Sequence, residues 1–261
     1  MNSQLNKKLI EWFSRQIILK DIGIIGQKKI LSSKVLIIGA GGLGCPVAEL
    51  LSRAGVGEIG IVDDDNISLS NIHRQSLYHS SDIGKTKVKV VKDKIKLINP
   101  KTKVKIYKLR LNNLNIKRII NDYDYVVDGS DNFKTKFLLN DFCFKFKKFL
   151  VTGAISKFDG HIFTFDFKEK KLPCLRCFFQ ESEISDNLLN CEAEGVLGTI
   201  SNIVGSIQAN EVLKKILTIG KNLNGYILIL DLFNLNFRKA KIKKRTECIC
   251  NKWKKKLFFW Y

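Results

Sequence analysis

Three glycines are placed where they could bind a nucleotide phosphate. Gly39, Gly41 and Gly44 directly follow an apolar run at 35–38, and an apolar helical pattern comes after them. Glycines allow a tight turn whose backbone approaches a phosphate, and the next helix adds free N–H groups and a positive dipole end. Asp63 ends the following apolar run, where a carboxylate can accept ribose hydroxyls. Strand, turn, helix and acid together predict a nucleotide site rather than a glycine-rich turn that binds nothing.

A polar segment after Asp63 offers side chains suited to phosphoryl chemistry. It contains an amide at Asn71 and a cation at Arg74, and Lys87 follows near the start of a helical pattern. Asp131 comes just after another apolar run and could hold Mg²⁺. Cations and metals that contact a transferring phosphoryl group stabilise its charge. For any single lysine of so basic a chain, a solvated surface residue is the competing interpretation.

Two cysteine pairs have spacings close to those of metal sites. Cys174 and Cys177 have the spacing of a zinc knuckle, whereas Cys248 and Cys250 stand one residue closer than the usual pair. Four thiolates would form a closed structural zinc site that fastens the C-terminal part of the chain to the domain. Two reduced pairs without metal are the alternative. Other cysteines in predicted helices, and histidines without metal-ligand spacing, are interpreted as structural: Cys45, Cys143, His73, His79 and His161.

Alternating strand and helix patterns predict an α/β fold. Up to Gly153 the repeat indicates a doubly wound, mostly parallel, Rossmann-like sheet. Beyond Gly153, alternating apolar residues predict antiparallel strands that extend this sheet, and the structural zinc site completes the predicted fold. The predicted strands cover 34–38, 58–63, 104–107, 123–128, 149–152, 162–167, 225–231 and 234–242. The remaining predictions are helices at 5–20, from Asp82 onward, at 116–120, 133–146 and 200–217, a turn at 21–27 and a mobile loop at 178–194.

In such a sheet, ligands bind beyond the carboxyl ends of the parallel strands. The predicted strand ends bring Gly41, Asp63, Arg74 and Asp131 to this one edge. The glycine turn, the polar segment and the candidate magnesium ligand therefore belong to a single predicted site.

Length and composition fit one large α/β domain. The chain has 261 residues, of which 45% are apolar. No uninterrupted apolar run is long enough to cross a membrane, and the first residues lead into no signal-peptide core, so we expect a cytoplasmic protein. The formal charge of +20 could indicate a polyanionic partner. Because only eight of the 45 basic residues are arginine and all are spread along the chain, we interpret the charge as compositional bias rather than a nucleic-acid surface.

Short motifs are distributed over nearly the whole chain. They are Ser14–Leu19, Gly39–Pro46, Ala54–Gly57, Ser70–Gln75, Asp82–Gly84 with Lys87, Ser130–Phe133, Pro173–Cys177, Cys191–Gly198 and Gly205–Ala209. Together they resemble the motifs of the ThiF/MoeB/HesA family, the bacterial relatives of ubiquitin-activating enzymes. The resemblance implies an adenylyltransferase that binds ATP with Mg²⁺. Its implied substrate is the C-terminal Gly-Gly carboxylate of a small ubiquitin-like sulfur-carrier protein.

The resemblance also assigns roles within an ATP site. Asp63 would bind the ribose, Arg74 and Lys87 would bind phosphates, and Asp131 would coordinate Mg²⁺. The full implied nucleotide set is Gly41, Gly42, Asp63, Ser70, Asn71, Arg74, Lys87, Asp131 and Asn132. The implied catalytic set is Arg15, Asn71, Arg74, Lys87, Asp131 and Cys191, and the implied zinc ligands are Cys174, Cys177, Cys248 and Cys250.

Two implied features reach beyond one chain. Arg15 would enter the neighbouring subunit's site, which implies a homodimer. Cys191 matches a cysteine that some family members use to carry sulfur or the acyl group, so a sulfur donor protein is a further expected partner. The expected organisation is a single adenylating domain over 1–261. It consists of a helical segment at 5–32, a nucleotide-binding half at 33–154, a carrier-binding and zinc half at 155–251, and a tail at 252–261.

Two other functions fit part of the sequence. A tRNA-modifying adenylating enzyme of the same superfamily would suit the positive charge, but such enzymes generally lack the four-cysteine site. An NAD-dependent Rossmann oxidoreductase would use Asp63 and leave Asn71, Arg74 and Lys87 without a task. Whether the carrier belongs to molybdopterin or thiamine synthesis stays open.

Overall fold

The described strands form one eight-stranded sheet in the order β3-β2-β1-β4-β5-β6-β7-β8. The computed structural model describes residues 6–179 and 195–251. The strands are β1 Lys34–Ile38, β2 Glu58–Val62, β3 Lys103–Tyr107, β4 Tyr125–Asp128, β5 Phe149–Ser156, β6 Asp159–Asp166, β7 Tyr226–Asp231 and β8 Asn236–Lys241. The first five strands in this order, β3, β2, β1, β4 and β5, pair in parallel. Strands β6, β7 and β8 extend the sheet as antiparallel strands. The predicted mostly parallel α/β sheet with an antiparallel extension is therefore confirmed.

Helices cover both faces of this sheet. They are α1 Lys7–Trp12, α2 Ser14–Ile17, α3 Gly23–Ser32, α4 Gly44–Ala54, α5 Lys87–Ile98, α6 Ile116–Ile120, α7 Phe133–Lys145, α8 Leu175–Phe178 and α9 Gly198–Leu217. Short 3₁₀ turns lie at Leu69–Asn71 and Ser80–Asp82. Among the described helices, none is long and apolar enough to cross a membrane.

Strand β1 shows why both faces need cover. Its last four residues are buried, because successive side chains alternate between the two faces and each face packs against helices. Val35 and Ile37 belong to one hydrophobic cluster, which includes residues of α4, α5 and α9. Leu36 and Ile38 belong to a second cluster, which includes residues of α6 and α7. The cluster on each face holds the parallel strands in place and fixes the edge where they end.

The predicted turn at 21–27 is wrong, because helix α3 begins at Gly23. Tertiary contacts outweigh the low helix propensity of its two glycines. A Cβ on Gly26 would stand 2.8 Å from Leu217 Cδ2, so the missing side chain allows α3 to pack against α9. The amide of Gln27 is fully buried and donates to the carbonyl of Ala54 at 3.0 Å. These contacts lie far away in sequence, where local patterns cannot show them.

Two other predicted helices have different bounds. The single helix expected at 5–20 is divided into α1 and α2. The residue between them, Phe13, has a buried side chain. The helix expected from Asp82 starts instead at Lys87. Gly84 has a φ of +84°, a left-handed conformation that ends the turn before the helix can begin.

Candidate functional site

A cavity of about 1070 Å³ lies beyond the carboxyl ends of β1, β2 and β4. Strand β1 stands between β2 and β4 in the sheet, so the cavity lies where the order of the strands reverses. The structure brings together there all nine residues expected to bind the nucleotide: Gly41, Gly42, Asp63, Ser70, Asn71, Arg74, Lys87, Asp131 and Asn132.

The glycine turn is closed by contacts that exclude side chains. Gly39 has a φ of +88°, and a Cβ there would lie 2.8 Å from the carbonyl oxygen of Gly129. A Cβ on Gly44 would lie 1.8 Å from the carbonyl oxygen of Gly39. Helix α4 begins at Gly44, and its N-cap residue Leu43 makes no side-chain capping bond. An uncapped helix N-terminus offers backbone N–H groups to an anion.

Asp63 connects this turn to the end of β2. Its Oδ2 accepts the N–H of Ala40 at 2.7 Å, and its Oδ1 accepts the N–H of Asp65 at 2.9 Å. A carboxylate has about four acceptor positions, so both oxygens can also accept ribose hydroxyls. Burial raises the pKa of Asp63 above its ordinary value, while the positive charge of Lys87 acts in the opposite direction.

Lys87 is held at the cavity by an ion pair with an exposed acid. Its Nζ lies 2.7 Å from Oδ2 of Asp65, and the side chains are 8% and 63% exposed. The backbone N–H of Lys87 also donates to the carbonyl of Asp65 at 3.1 Å. Asp65 therefore orients the ammonium group without removing it from the cavity.

The polar segment folds as a 3₁₀ turn that aims Arg74 at the cavity wall. Asn71 is buried, and its Oδ1 accepts the N–H of Ser68 at 3.1 Å. Nη1 of Arg74 donates to the carbonyl of Ser70 at 2.5 Å. The guanidinium carries five N–H donors, so this bond orients it and leaves donors for an anion. His73, interpreted from sequence as structural, also lines the cavity, and its Nε2 lies 3.0 Å from Nη1 of Arg74.

Asp131 occupies the turn between β4 and α7. Its side chain is exposed, and its Oδ1 accepts Nδ2 of Asn132 at 3.2 Å. Asn132 caps α7, because its Oδ1 accepts the N–H of Thr135 at 2.9 Å. An exposed carboxylate on a fixed turn is an oxygen ligand of the kind Mg²⁺ takes beside phosphates, so the residues present fit the expected metal.

Sequence reasoning missed three cations that line the cavity: Arg110, Lys134 and Lys136. For Lys136 a signal was available. It shares the buried stripe of α7 with Asn140 and Cys143, at spacings of four and seven residues. A charge on a buried stripe needs a partner, and Asp128 at the end of a buried strand supplies it. Arg110 and Lys134 carried no comparable signal.

Two expected catalytic residues are not placed in this cavity. Arg15 lies on α2 with an exposed side chain, and it is absent from the described cavity lining. The structure does not bring it to the nucleotide site of its own chain. Cys191, the expected tail at 252–261 and residues 180–194 of the mobile loop expected at 178–194 lie outside the described residues. The first residue of that expected loop, Phe178, belongs instead to helix α8.

Four cysteines converge outside the cavity lining. The sulfurs of Cys174, Cys177, Cys248 and Cys250 all lie within 4.8 Å of one another. The sulfurs of Cys174 and Cys177 are 4.0 Å apart, and the pairs Cys174–Cys248 and Cys177–Cys250 are each separated by 3.6 Å. Zn–S bonds of about 2.3 Å give tetrahedral edges of about 3.8 Å, so the four sulfurs fit zinc even though the second pair is one residue short.

The pKa shifts of the clustered thiols are consistent with a bound cation. A hydrogen bond from Cys174 lowers the pKa of Cys177, and the same contact raises the pKa of Cys174. Four neighbouring thiolates repel one another, and a metal ion is the usual partner that stabilises them. In the described part of the chain, Cys45 and Cys143 stay apart from the cluster as buried core residues, as predicted.

The first cysteine pair is bonded to α7, the helix that begins at the magnesium candidate. The N–H of Leu175 donates to Oδ1 of Asn140 at 2.9 Å. Arg176 forms two bonds of 2.8 Å to the carboxylate of Asp141, and its guanidinium lies 4.5 Å from the ring centre of Phe137. The first cysteine pair is therefore fastened to the middle and C-terminal half of α7, while the N-terminus of this helix faces the cavity.

Comparison of sequences relates the chain to known adenylyltransferases. A sulfur carrier protein adenylyltransferase from Thermus thermophilus is 39% identical over 245 residues, which cover 93% of this chain and 90% of that protein. An adenylyltransferase and sulfurtransferase MOCS3 from Culex quinquefasciatus is 40% identical over 248 residues, which cover 95% of this chain and 56% of that protein. A probable molybdopterin-synthase adenylyltransferase from Gracilaria tenuistipitata is 38% identical over 246 residues, with coverages of 94% and 68%. The chain thus spans little more than half the length of the MOCS3 relative.

Comparison of structures and of family models agrees with this relationship. E. coli MccB crystallised with MccA-N7isoASN superposes with a TM-score of 0.81 at 21% identity, over 95% of this chain and 76% of that chain. E. coli MccB crystallised with ATP gives a TM-score of 0.79 at 21% identity, over 92% and 74%. At this identity the likeness shows the fold. The ThiF family model matches residues 13–251, and the chain therefore belongs to the ThiF family.

Proposed function

We propose that this protein uses ATP to adenylate the C-terminal glycine carboxylate of a small ubiquitin-like sulfur-carrier protein, with release of pyrophosphate. The observation that carries the proposal is the convergence of the glycine turn, Asp63, Arg74, Lys87 and Asp131 on one cavity at the strand ends. The family membership and the names of the relatives support it.

Each side chain has a task that follows from its contacts. The glycine turn and the N-terminus of α4 bind phosphate oxygens through backbone N–H groups. Asp63 accepts the ribose hydroxyls with the acceptor capacity that Ala40 and Asp65 leave on its oxygens. Arg74 and Lys87, already oriented by Ser70 and Asp65, stabilise the negative charge of the phosphates.

The chemical step needs little beyond this positioning. An oxygen of the carrier's terminal carboxylate forms a bond to the α-phosphorus, and the bond from that phosphorus to the bridging oxygen of pyrophosphate breaks. The nucleophile is already ionised, so no general base is required. Catalysis then consists of alignment and charge stabilisation. Mg²⁺ bound by Asp131 would neutralise charge on the phosphate oxygens.

The parts of the chain divide this work. In our proposal residues 33–154 hold the nucleotide and residues 155–251 hold the carrier and zinc, while 5–32 form the helical segment of a single domain. Zinc at the four cysteines stabilises the fold and takes no part in the reaction, since four protein ligands leave no open position. Arg15 completes the site of a partner subunit in a homodimer, in keeping with its exposed position on α2.

A dehydrogenase accounts for fewer of these contacts. A dinucleotide would use the glycine turn and Asp63. It would leave the Asn71 turn, the Lys87–Asp65 pair and the exposed Asp131 without a task. The adenylation reaction uses all of them.

The test is to mix the protein with ATP labelled at the α-phosphorus and with a molybdopterin-type or a thiamine-type carrier, each ending in Gly-Gly. The reaction is quenched rapidly and the proteins are separated on an acidic gel. We expect the label on one of the two carriers, and the carrier that is labelled identifies the pathway. The control is the same carrier without its final two glycines. Label on neither intact carrier contradicts the proposal.

A further inference from the structure

A buried ion pair lies directly beneath the turn that carries Asp131. Asp128, the last residue of β4, is 0% exposed, and Lys136, in the first turn of α7, is 5% exposed. Their Oδ2 and Nζ atoms are 3.0 Å apart. Neither residue was singled out by the motifs, yet Lys136 lines the wall of the cavity.

All three protons of the Lys136 ammonium are engaged within the protein. Besides Asp128, they reach the carbonyl of Ser130 at 2.8 Å and the carbonyl of Gly153 at 2.7 Å. An ammonium group has three donors and no acceptor. Lys136 therefore has no free donor with which to bind a phosphate.

The carboxylate of Asp128 is equally saturated. Its Oδ1 accepts the N–H and the hydroxyl of Ser130 at 2.9 Å and 2.5 Å. Its Oδ2 accepts the hydroxyl of Thr152 in addition to Lys136. Four donors match the roughly four acceptor positions of a carboxylate, so Asp128 does not bind the metal itself.

The position of Lys136 is electrostatically unfavourable without this partner. A cation in the first turn of a helix opposes the helix dipole, and a buried charge carries a desolvation cost. Asp128 and the two carbonyls compensate both effects. An apolar replacement of such a pair often leaves a protein equally stable, so stability alone does not account for the pair, and the groups that it contacts indicate its role.

Those groups form the support of the magnesium candidate. The pair fixes Ser130 from below, and the N–H of Gly129 donates to the carbonyl of Ile38 at 2.8 Å, next to the glycine turn. Asp131 follows in the same turn, and Asn132 then caps α7. Through Gly153 the pair also ties this turn to β5. The backbone on both sides of Asp131 is therefore held by these contacts, of which those to Ser130 and Gly153 belong to the pair.

We propose that Asp128 and Lys136 are positioning residues of the nucleotide site, which fix the turn Gly129–Asn132 so that Asp131 meets the magnesium ion of bound ATP. The inference rests on the proposed function, because it assigns Asp131 to that metal. Outer partners that orient a metal ligand affect metal affinity or activity by about 10- to 100-fold.

The test compares binding of α,β-methylene ATP, by calorimetry, in excess Mg²⁺ and in EDTA. For Lys136→Met we expect the affinity in Mg²⁺ to fall about 10- to 100-fold and the affinity in EDTA to stay unchanged. Lys136→Arg, which keeps the charge, should recover part of the loss. The double variant Asp128→Asn with Lys136→Met leaves no unpaired buried charge, and it provides the measurement if Lys136→Met does not fold.

The matched control is Lys215→Met. Lys215 also pairs with a buried aspartate, Asp166, at 2.5 Å, but outside the cavity lining. The Lys215→Met substitution should lower the thermal stability and leave the affinities in Mg²⁺ and in EDTA unchanged. The positioning role is overturned if Lys136→Met loses affinity equally in Mg²⁺ and in EDTA, or if the double variant loses no affinity in Mg²⁺. Both outcomes apply when the wild-type protein binds the magnesium-loaded analogue. A wild-type protein that binds no nucleotide under either condition overturns the proposed function and, with it, this inference.

Discussion

Gly39 and Gly44 close the glycine turn on each other, since a Cβ on Gly44 would stand 1.8 Å from the carbonyl oxygen of Gly39. Gly41 is different, because a Cβ there would meet only Nε2 of Gln75 at 3.8 Å, an ordinary contact. Gly41 also lines the cavity. The first two glycines thus serve the fold, whereas Gly41 leaves room for a ligand.

This difference predicts opposite effects of two alanine substitutions. Gly44→Ala should destabilise the protein by about 3 kcal/mol or more, because backbone must move to relieve the clash. Gly41→Ala should keep the wild-type melting temperature and weaken ATP binding about 10- to 100-fold, through loss of backbone bonds to a charged phosphate worth about 1.5–3 kcal/mol. Thermal melts and ATP titrations check both. A stable Gly44→Ala protein would refute the steric account of the turn.

Zinc content tests the cysteine cluster. We expect about one zinc per chain by elemental analysis of protein purified without chelator, as a closed four-thiolate site requires. Cys177→Ser should release the metal and lower the melting temperature, because the binding free energy of a structural metal is part of the folding free energy. Cys143→Ala is the matched control, since this buried cysteine lies outside the cluster. It should lose stability and keep zinc. A metal-free wild-type protein of undiminished stability would reject the site.

The raised pKa of Asp63 predicts a pH dependence of nucleotide binding. Ribose hydroxyls donate to the ionised carboxylate, so binding should weaken on acidification. Burial raises the pKa of this group, and the loss therefore begins at a higher pH than for an ordinary aspartate. Asp63→Asn should bind weakly with a flat profile over the same range. An identical pH profile for the variant would assign the titration to another group.

The same shift has a definite sign for stability. The folded state binds this proton more tightly than the unfolded chain does, because its pKa is the higher of the two. The free energy of unfolding therefore falls as pH rises from the unfolded pKa to the folded pKa, and is constant above it. Asp63→Asn should remove this slope in denaturant titrations at a series of pH values. A wild-type slope of opposite sign in that window contradicts the assignment.

A shared active site predicts complementation between inactive subunits. Arg15 is exposed on α2 and outside the described lining of its own chain's cavity. Arg15→Ala and Asp131→Ala should each abolish most adenylation, and a mixture should recover part of it, because a mixed dimer keeps one intact site. Subunit exchange must be verified by tagged co-purification. No recovery in verified mixed dimers would assign Arg15 to its own subunit or to no catalytic role.

Cys191 should be dispensable for adenylation. The carrier's carboxylate reacts with ATP directly, so the first step needs no thiol. We expect Cys191→Ala to adenylate the carrier at nearly the wild-type rate and to be impaired only in a later transfer of sulfur or the acyl group. Loss of adenylation in a folded, ATP-binding Cys191→Ala protein would contradict this assignment.

Much of the site could be predicted because its signals are local. The turn after β1 and the acid after β2 are read from short runs, and parallel strands bring their ends together wherever the sheet forms. Helix α3 could not be predicted this way, since Gly26 and Gln27 are helical through contacts with Leu217 and Ala54. For the Asp128–Lys136 pair the sequence held only part of the signal, the charge on the buried stripe of α7. The partners in this pair's contacts lie on β4, α7 and β5, and only the folded sheet makes them neighbours.

The most direct test of the central claim is the exchange of labelled pyrophosphate into ATP in the presence of a carrier that ends in Gly-Gly. Reversible adenylation predicts exchange that requires Mg²⁺ and the intact carrier, and that disappears when the carrier lacks its last two glycines or when Asp131 is replaced by Ala. The contradicting result is a folded protein that binds NAD, ignores ATP and gives no exchange with either type of carrier.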